Sequence, residues 1–289
     1  MSAVTLARPR RTFAERARRA PRWFTALVMS VIAIGTIYPL VFVLNVSLKD
    51  KRSYILDRFG VTNTLHTANF GDAWRRSNLS RYMINSTIVT VGSVAVLLLF
   101  GSLAGYAFAQ LSFKISNWAY LACLGALMIP FQVIMVPFVR MMLDIGFTNT
   151  YWGLILAYTS IFLPFTVYLM ASFYRRIPRS ITEAATIDGA SVWDTYRRII
   201  LPIGRPALLS VGILNALFIW NDVLVSLLIM PQEQKRTLMI GVSALRGQYS
   251  SNVPVFAAGV LIAAFPVIIV YIVFQRQIAA GVTAGAVKG

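Results

Sequence analysis

The 289-residue chain is 57% apolar and 13% charged, yet it carries a formal net charge of +17. Soluble domains hold about 25% charged residues; half that share, with a mean hydropathy of +0.69, excludes a mostly water-facing surface and makes lipid the second solvent. The basic excess does not describe a nucleic-acid binder, because the cations stand between apolar runs, where headgroups and the positive-inside bias place them.

Residues 1–22 hold seven arginines against one acid, Glu15, and read as a solvated cytoplasmic tail. Trp23–Leu48 follows as 26 uncharged residues. That exceeds the ~7–15 residues of a signal-peptide core, and no small-x-small cleavage site ends it, so it reads as a first spanning helix. Segment 49–81 reads as an outside loop with one short helix around Phe70–Arg75.

Further uncharged runs are Tyr82–Phe113, Ile115–Val139, Ile145–Tyr174, Pro206–Asn221 continuing past Asp222 to Gln232, and Gly247–Gln275. Each is long enough for the ~20 residues a spanning helix needs. Hydrocarbon offers the backbone no water, so helix is the default. The expectation is an all-α integral membrane protein with six transmembrane helices near 23–47, 82–110, 117–139, 150–173, 207–230 and 255–275. Both termini fall on the cytoplasmic side, with 278–289 as a second tail. The Lys and Arg count agrees in sign, with 16 on the inside segments and 11 on the outside ones. Gly101-Ser-Leu-Ala-Gly105 is a small-xxx-small pattern for close helix approach. Pro130, Pro137 and Pro164 predict bends. Cys123 has no partner for a disulfide, and His66 stands without a second metal ligand.

Residues 175–205 interrupt the oily pattern with six arginines. Pro178 closes the preceding helix, and Ser180-Ile-Thr-Glu183 has the spacing of a capping box, with Glu183 reaching back to the Ser180 amide. Ala184 and Ala185 follow, and Gly189 can take the left-handed conformation that ends a helix. Ser191 with Asp194 starts a second helix. Trp193, Tyr196, Ile199 and Ile200 give it one apolar side, and Pro202 and Pro206 stop it before the fifth span. Trp193 and Tyr196 could anchor in a partner's groove; a loop that merely seals the bundle is the other reading.

The order Glu183-Ala184-Ala185, three residues ending at Asp188, Gly189, nine residues, then Ile199-x-Leu201-Pro202 resembles the EAA loop of bacterial ABC-importer permeases. The stretches YMINST (Tyr82–Thr87) and WNDVL (Trp220–Leu224) and the C-terminal GVTAGAVKG resemble the maltose-transporter-like carbohydrate permeases, of the MalG type more than the MalF type. The resemblance covers roughly residues 20–289 and implies the type I importer permease fold. It implies a multi-pass protein of the bacterial cytoplasmic (inner) membrane, paired with a second, MalF-type permease, two copies of a cytoplasmic ATPase and an extracytoplasmic sugar-binding protein. It also implies that the loop is the coupling helix seated on the ATPase. This chain has no G-x-x-x-x-G-K-[ST] motif, so ATP and Mg belong to the partner ATPase, with no cofactor, metal or catalytic residue here.

Asp222 is the one acid inside an expected span, 15 residues past Ala207, or ~22 Å at 1.5 Å per residue. Intramembrane charges point to function by default; its candidate roles are sugar binding and a structural hydrogen bond to a neighbouring helix. Asn85, Gln132 and Asn221 are further candidates for the pathway. Gly247, Gln248, Tyr249 and Ser250 correspond, by the resemblance, to the loop that reaches into the binding protein, with an ordinary turn around Gly247 as the alternative. A self-contained secondary transporter or channel is the competing class; such carriers usually show paired intramembrane charges or repeats, and here stand one acid and no clear repeat.

Overall fold

The computed structural model describes residues 22–63, 65–76, 78–248 and 252–286. The expected basic tail and the end of the C-terminal tail therefore lie outside the described residues, as do Tyr249 and Ser250.

Helix α1 (Arg22–Ser47) is apolar around its whole circumference and almost wholly uncovered by the rest of the chain. Two short helices follow, α2 (Lys51–Leu56) and α3 (Ala68–Arg76), where one was expected. Asp50 explains the extra one: its carboxylate accepts from the Ser53 amide at 2.9 Å and the Ser53 hydroxyl at 2.7 Å, an N-terminal cap. Asn69 ties the segment back to α1 by donating to the carbonyls of Ser47 and Lys49, both at 2.8 Å.

Helices α4 (Leu79–Gln110) and α7 (Tyr151–Tyr174) form the spine of the bundle. Lipid is as apolar as leucine, so close packing and hydrogen bonds must hold such helices together. The glycine pair supplies the approach. A Cβ on Gly101 would stand 2.4 Å from the Thr166 side chain, and one on Gly105 would stand 2.6 Å from Met170 Cβ.

The expected third span, 117–139, is not one helix. It is α5 (Ser116–Ala126) and α6 (Phe131–Asp144), bent by 99° at the break. Pro130 causes this. It takes an extended conformation (φ −62°, ψ 134°) and cannot donate to the preceding turn.

After α7 come α8 (Arg179–Ile187) and α9 (Val192–Thr195), then a π-turn over Tyr196–Ile200 that runs directly into α10 (Leu201–Asn221). Here the expected stop at Pro202 and Pro206 is wrong: both prolines lie within one apolar helical stretch, Val192–Asn221. The Leu201 N–H reaches back five residues to the Tyr196 carbonyl. The widened turn gives the Pro202 ring room without ending the helix.

The expected fifth span, 207–230, is broken as well. Helix α10 ends at Asn221, Asp222 is extended, and α11 (Leu224–Ile229) follows. A 3₁₀ turn (Glu233–Lys235), α12 (Leu238–Gln248) and α13 (Val253–Ala286) complete the described chain, which has no strand among its described residues. The first two turns of the expected cytoplasmic tail thus continue α13.

Candidate functional site

Local chemistry builds the loop between α7 and α10. Pro178 takes the N-cap position of α8 with no side-chain bond, so the helix begins at Arg179, one residue before the expected cap. Ser180 falls inside the first turn, where its side chain cannot close the expected box with Glu183. Glu183 is exposed. The C-terminal end follows the expectation. Gly189 has φ +81°, its N–H bonds the Thr186 carbonyl at 3.0 Å, and the Ala190 N–H bonds Ala185 at 2.9 Å. Those two bonds make a Schellman turn. Ser191 then caps α9: its Oγ accepts from the Asp194 amide at 3.1 Å and donates to the Asp194 carboxylate at 2.6 Å.

The ten residues of the expected coupling set separate into two groups. Glu183, Ala184, Asp188, Gly189 and Trp193 are exposed, together with Ile187 and Val192 at 86% and 57%. An added Cβ on Gly189 would meet nothing within 4 Å. Ala185 is buried, Ile199, Leu201 and Pro202 are half-buried, and Tyr196 is 5% exposed.

Tyr196 is therefore no anchor for a partner. Its ring packs on Tyr106 at 5.3 Å and its hydroxyl lies 2.9 Å from Ser102 Oγ. Ser102 Oγ also lies 2.7 Å from the Tyr174 hydroxyl. One buried serine thus joins α4, the end of α7 and the π-turn. Gln110 adds a second tie, donating to the carbonyls of Tyr174 and Ile177 at 2.7 and 3.1 Å. The sequence reading missed this hub. Ser102 stood there only as a small residue between two glycines, and nothing in the spacing connects it to tyrosines 72 and 94 positions away.

The four expected pathway residues do not form one site. Asp222 accepts from the Tyr158 hydroxyl at 2.8 Å and from the Ser226 amide at 3.1 Å, so it fastens the break of the fifth span to α7 and starts α11. Asn85 is buried. It donates to the carbonyls of Gln234 and Arg236 at 3.1 and 2.9 Å and accepts from the Tyr151 hydroxyl at 2.8 Å, which commits its amide to holding the 3₁₀ turn. Asn221 is exposed and donates to the Leu217 carbonyl at 2.8 Å. Gln132 is exposed in the first turn of α6, beside the 99° bend. Gly247 lies within the last turn of α12 and not in a reverse turn.

Around Asn85 the end of the bundle opposite the loop is firmly tied. Lys235 Nζ donates to the Asn149 carbonyl at 2.6 Å, Ser86 Oγ accepts from the Leu238 amide at 2.8 Å, and the Ser226 and Thr237 hydroxyls meet at 2.7 Å. A cavity of about 590 Å³ opens there, lined by Asn78, Arg81, Tyr82 and residues 232–234. No cluster of three or more metal-ligating side chains occurs among the described residues.

Five helices long and apolar enough to span a membrane and one bent pair, with a capped and exposed turn at one end, define a multi-pass membrane protein. The chain matches the family described as binding-protein-dependent transport system inner membrane component over residues 98–283, and it belongs to that family. It is 31% identical over 264 residues to the melibiose/raffinose/stachyose import permease protein MelC of Bacillus subtilis, covering 91% of this chain and 95% of that one. It is also 31% identical over 280 residues to the diacetylchitobiose uptake system permease protein NgcG of Streptomyces coelicolor, covering 95% and 93%. Its fold is similar to a chain of a bacterial ABC transporter involved in import of the acidic polysaccharide alginate. The TM-score is 0.79 at 21% identity, over 93% of this chain and 99% of that one.

Proposed function

We propose that this chain is one of two permeases in an ATP-driven importer of a di- or oligosaccharide, in a bacterial inner membrane, and that it passes force through α8 and the Gly189 turn. The observation that carries the coupling role is the exposed Schellman turn. Ala184, Gly189 and Trp193 are presented outward from a loop whose other face is locked to Ser102 and Gln110. Relatives that import melibiose, raffinose, stachyose or diacetylchitobiose support the sugar as cargo.

In this reading a MalF-type sister permease completes the pathway and two copies of an ATPase bind ATP and Mg. An extracytoplasmic protein delivers the sugar near residues 247–250. Coupling requires contacts that differ between two states, and α8 offers a surface on which a partner can act. Asp222 and Asn85 serve the architecture; Asn221 and Gln132 are the polar side chains left to face the pathway.

The test is uptake into vesicles by the importer assembled from this chain, its sister permease, the ATPase and the binding protein. Gly189→Pro abolishes the left-handed turn, and the expected outcome is ATP hydrolysis without uptake. Sugar uptake in the absence of the ATPase, or full coupled uptake by Gly189→Pro, would sink the reading.

A further inference from the structure

The end of the bundle that carries α8 holds a cleft that force transmission does not use. It has a volume of about 450 Å³ and lies between the α4–α5 turn and the start of α8. Lys114 and Arg179 line it from those two elements and are both exposed. Ser112, Ser116 and Asn117 add hydroxyl and amide groups to the lining.

Carboxylates are scarce in this neighbourhood. No acid occurs between Asp72 and Asp144, or between Asp144 and Glu183. Helices α4, α5 and α7 therefore bring none, and the nearest along the chain is Glu183, one turn beyond Arg179. An aromatic wall backs the cleft. The Phe108 ring lies 6.2 Å from Phe113 and 5.6 Å from Tyr120, and the Arg175 guanidinium sits 4.2 Å over the Tyr120 ring. Beside the cleft, Ile115 and Trp118 are 64% and 74% exposed. Exposed aliphatic and indole side chains next to unopposed cations are what the boundary between acyl chains and headgroups selects.

We propose that this cleft binds the phosphate headgroup of an anionic phospholipid, with Lys114 and Arg179 as its two cations. Basic pockets between spanning helices recognise such headgroups. The acyl chains run past Ile115 and Trp118, in the part of the surface that water does not solvate. A headgroup held by both cations bridges the α4–α5 turn to the first residue of α8. The lipid composition of that leaflet then sets how firmly α8 is held, a consequence that rests on the coupling role proposed for α8. The binding itself does not depend on the cargo.

The test uses the assembled importer, purified through this chain and placed in phosphatidylcholine vesicles with spin-labelled phosphatidylglycerol or spin-labelled phosphatidylcholine. The fraction of label immobilised on the protein reads the site whether or not sugar is the cargo. A cation beside an anionic surface contributes about fivefold in association, so losing both weakens binding on the order of 30-fold. The expected result is a phosphatidylglycerol preference that Lys114→Ala reduces about fivefold and Lys114→Ala/Arg179→Ala removes. Lys114→Arg/Arg179→Lys should keep it. Uptake by the wild type, but not by the double alanine variant, should rise when phosphatidylglycerol replaces part of the phosphatidylcholine. An undiminished preference in the double alanine variant overturns the proposal. So does displacement of the labelled lipid by inorganic phosphate, which would make this a soluble-anion site. Loss of the ATPase from the purified double variant, with its lipid preference intact, would assign the cations to that partner instead.

Discussion

Ser102→Ala is the sharpest perturbation of the hub beneath the loop between α7 and α10. Ser102, Tyr174 and Tyr196 are 1%, 0% and 5% exposed, and the one serine oxygen serves both tyrosines, at 2.7 and 2.9 Å. Removing it breaks two hydrogen bonds and strands two buried hydroxyls. A stranded buried polar group costs about 1–3 kcal/mol, so the change should destabilise the bundle by roughly 2–4 kcal/mol. Tyr196→Phe removes one hydroxyl and leaves the Ser102–Tyr174 pair intact, for a smaller loss of about 0.5–1.5 kcal/mol. The decisive comparison is the triple variant Ser102→Ala/Tyr174→Phe/Tyr196→Phe. It makes no hub bonds, yet it strands no hydroxyl, and it should recover at least ~1 kcal/mol relative to Ser102→Ala alone because paired removal is far cheaper than orphaning. Thermal midpoints of the detergent-solubilised complex measure all three. If Ser102→Ala is no worse than Tyr196→Phe, or the triple variant is no more stable than Ser102→Ala, the hydroxyl hub does not hold the loop to the spans.

Gly105→Ala places a methyl 2.6 Å from Met170 Cβ and 3.0 Å from the Ala171 backbone nitrogen; the spans must separate, at a cost of about 1–3 kcal/mol in the same melting assay. Gly189→Ala clashes with nothing and only forces an alanine to φ +81°, so it should lower the melting midpoint by no more than ~1–2 kcal/mol's worth. Asp222→Asn keeps one acceptor for the Tyr158 hydroxyl, whereas Asp222→Ala strands it, so the alanine variant should be the less stable by about 1–3 kcal/mol. Asp50 titrates in the loop after α1. The Ser53 amide, then the Ser53 hydroxyl, hold its carboxyl below the usual carboxylate value. A lowered folded value means that the carboxylate's contribution is present above the unfolded value of about 3.9 and is lost as pH falls through the folded one. Hydrogen-exchange protection of α2 should therefore be lower in Asp50→Ala than in the wild type at about pH 6, with the gap closing in strong acid.

The helices of this fold are legible because lipid imposes a simple rule, and a long apolar run has few other uses. The turn at Gly189 is equally legible, since a glycine after two alanines and a polar turn is a local signal with a local outcome. What the sequence hides are competitions between local rules. Pro202 and Pro206 look like stops, but the five-residue reach from Leu201 to Tyr196 lets the helix absorb Pro202, and Pro206 is carried inside α10. Ser180 and Glu183 look like a capping box, but Pro178 starts the helix one residue early. Tyr196 looks like an anchor for a partner because aromatic spacing cannot say which side of a helix faces its own bundle. The long-range pairs are hidden altogether: Ser102 with Tyr196, and Asn85 with Arg236, meet only because three helices have already packed.

The break within the third span and the break that ends α10 have different chemical causes. The break before α6 is made by Pro130, whose missing N–H no rearrangement can restore. The break after α10 contains no proline. Nothing in Trp220–Leu224 forbids a continuous helix, and what holds it open is the Asp222 carboxylate, which takes the Ser226 amide and the Tyr158 hydroxyl. The first break is fixed by covalent structure and the second by two hydrogen bonds. At the loop end, the π-turn answers to Pro202, whose ring the widened register accommodates. The fifth span therefore carries an irregularity at each end, one joined to α7 through Tyr158 and the other through Ser102 and Tyr174. Both irregularities thus lie on the helix that continues directly from the exposed loop.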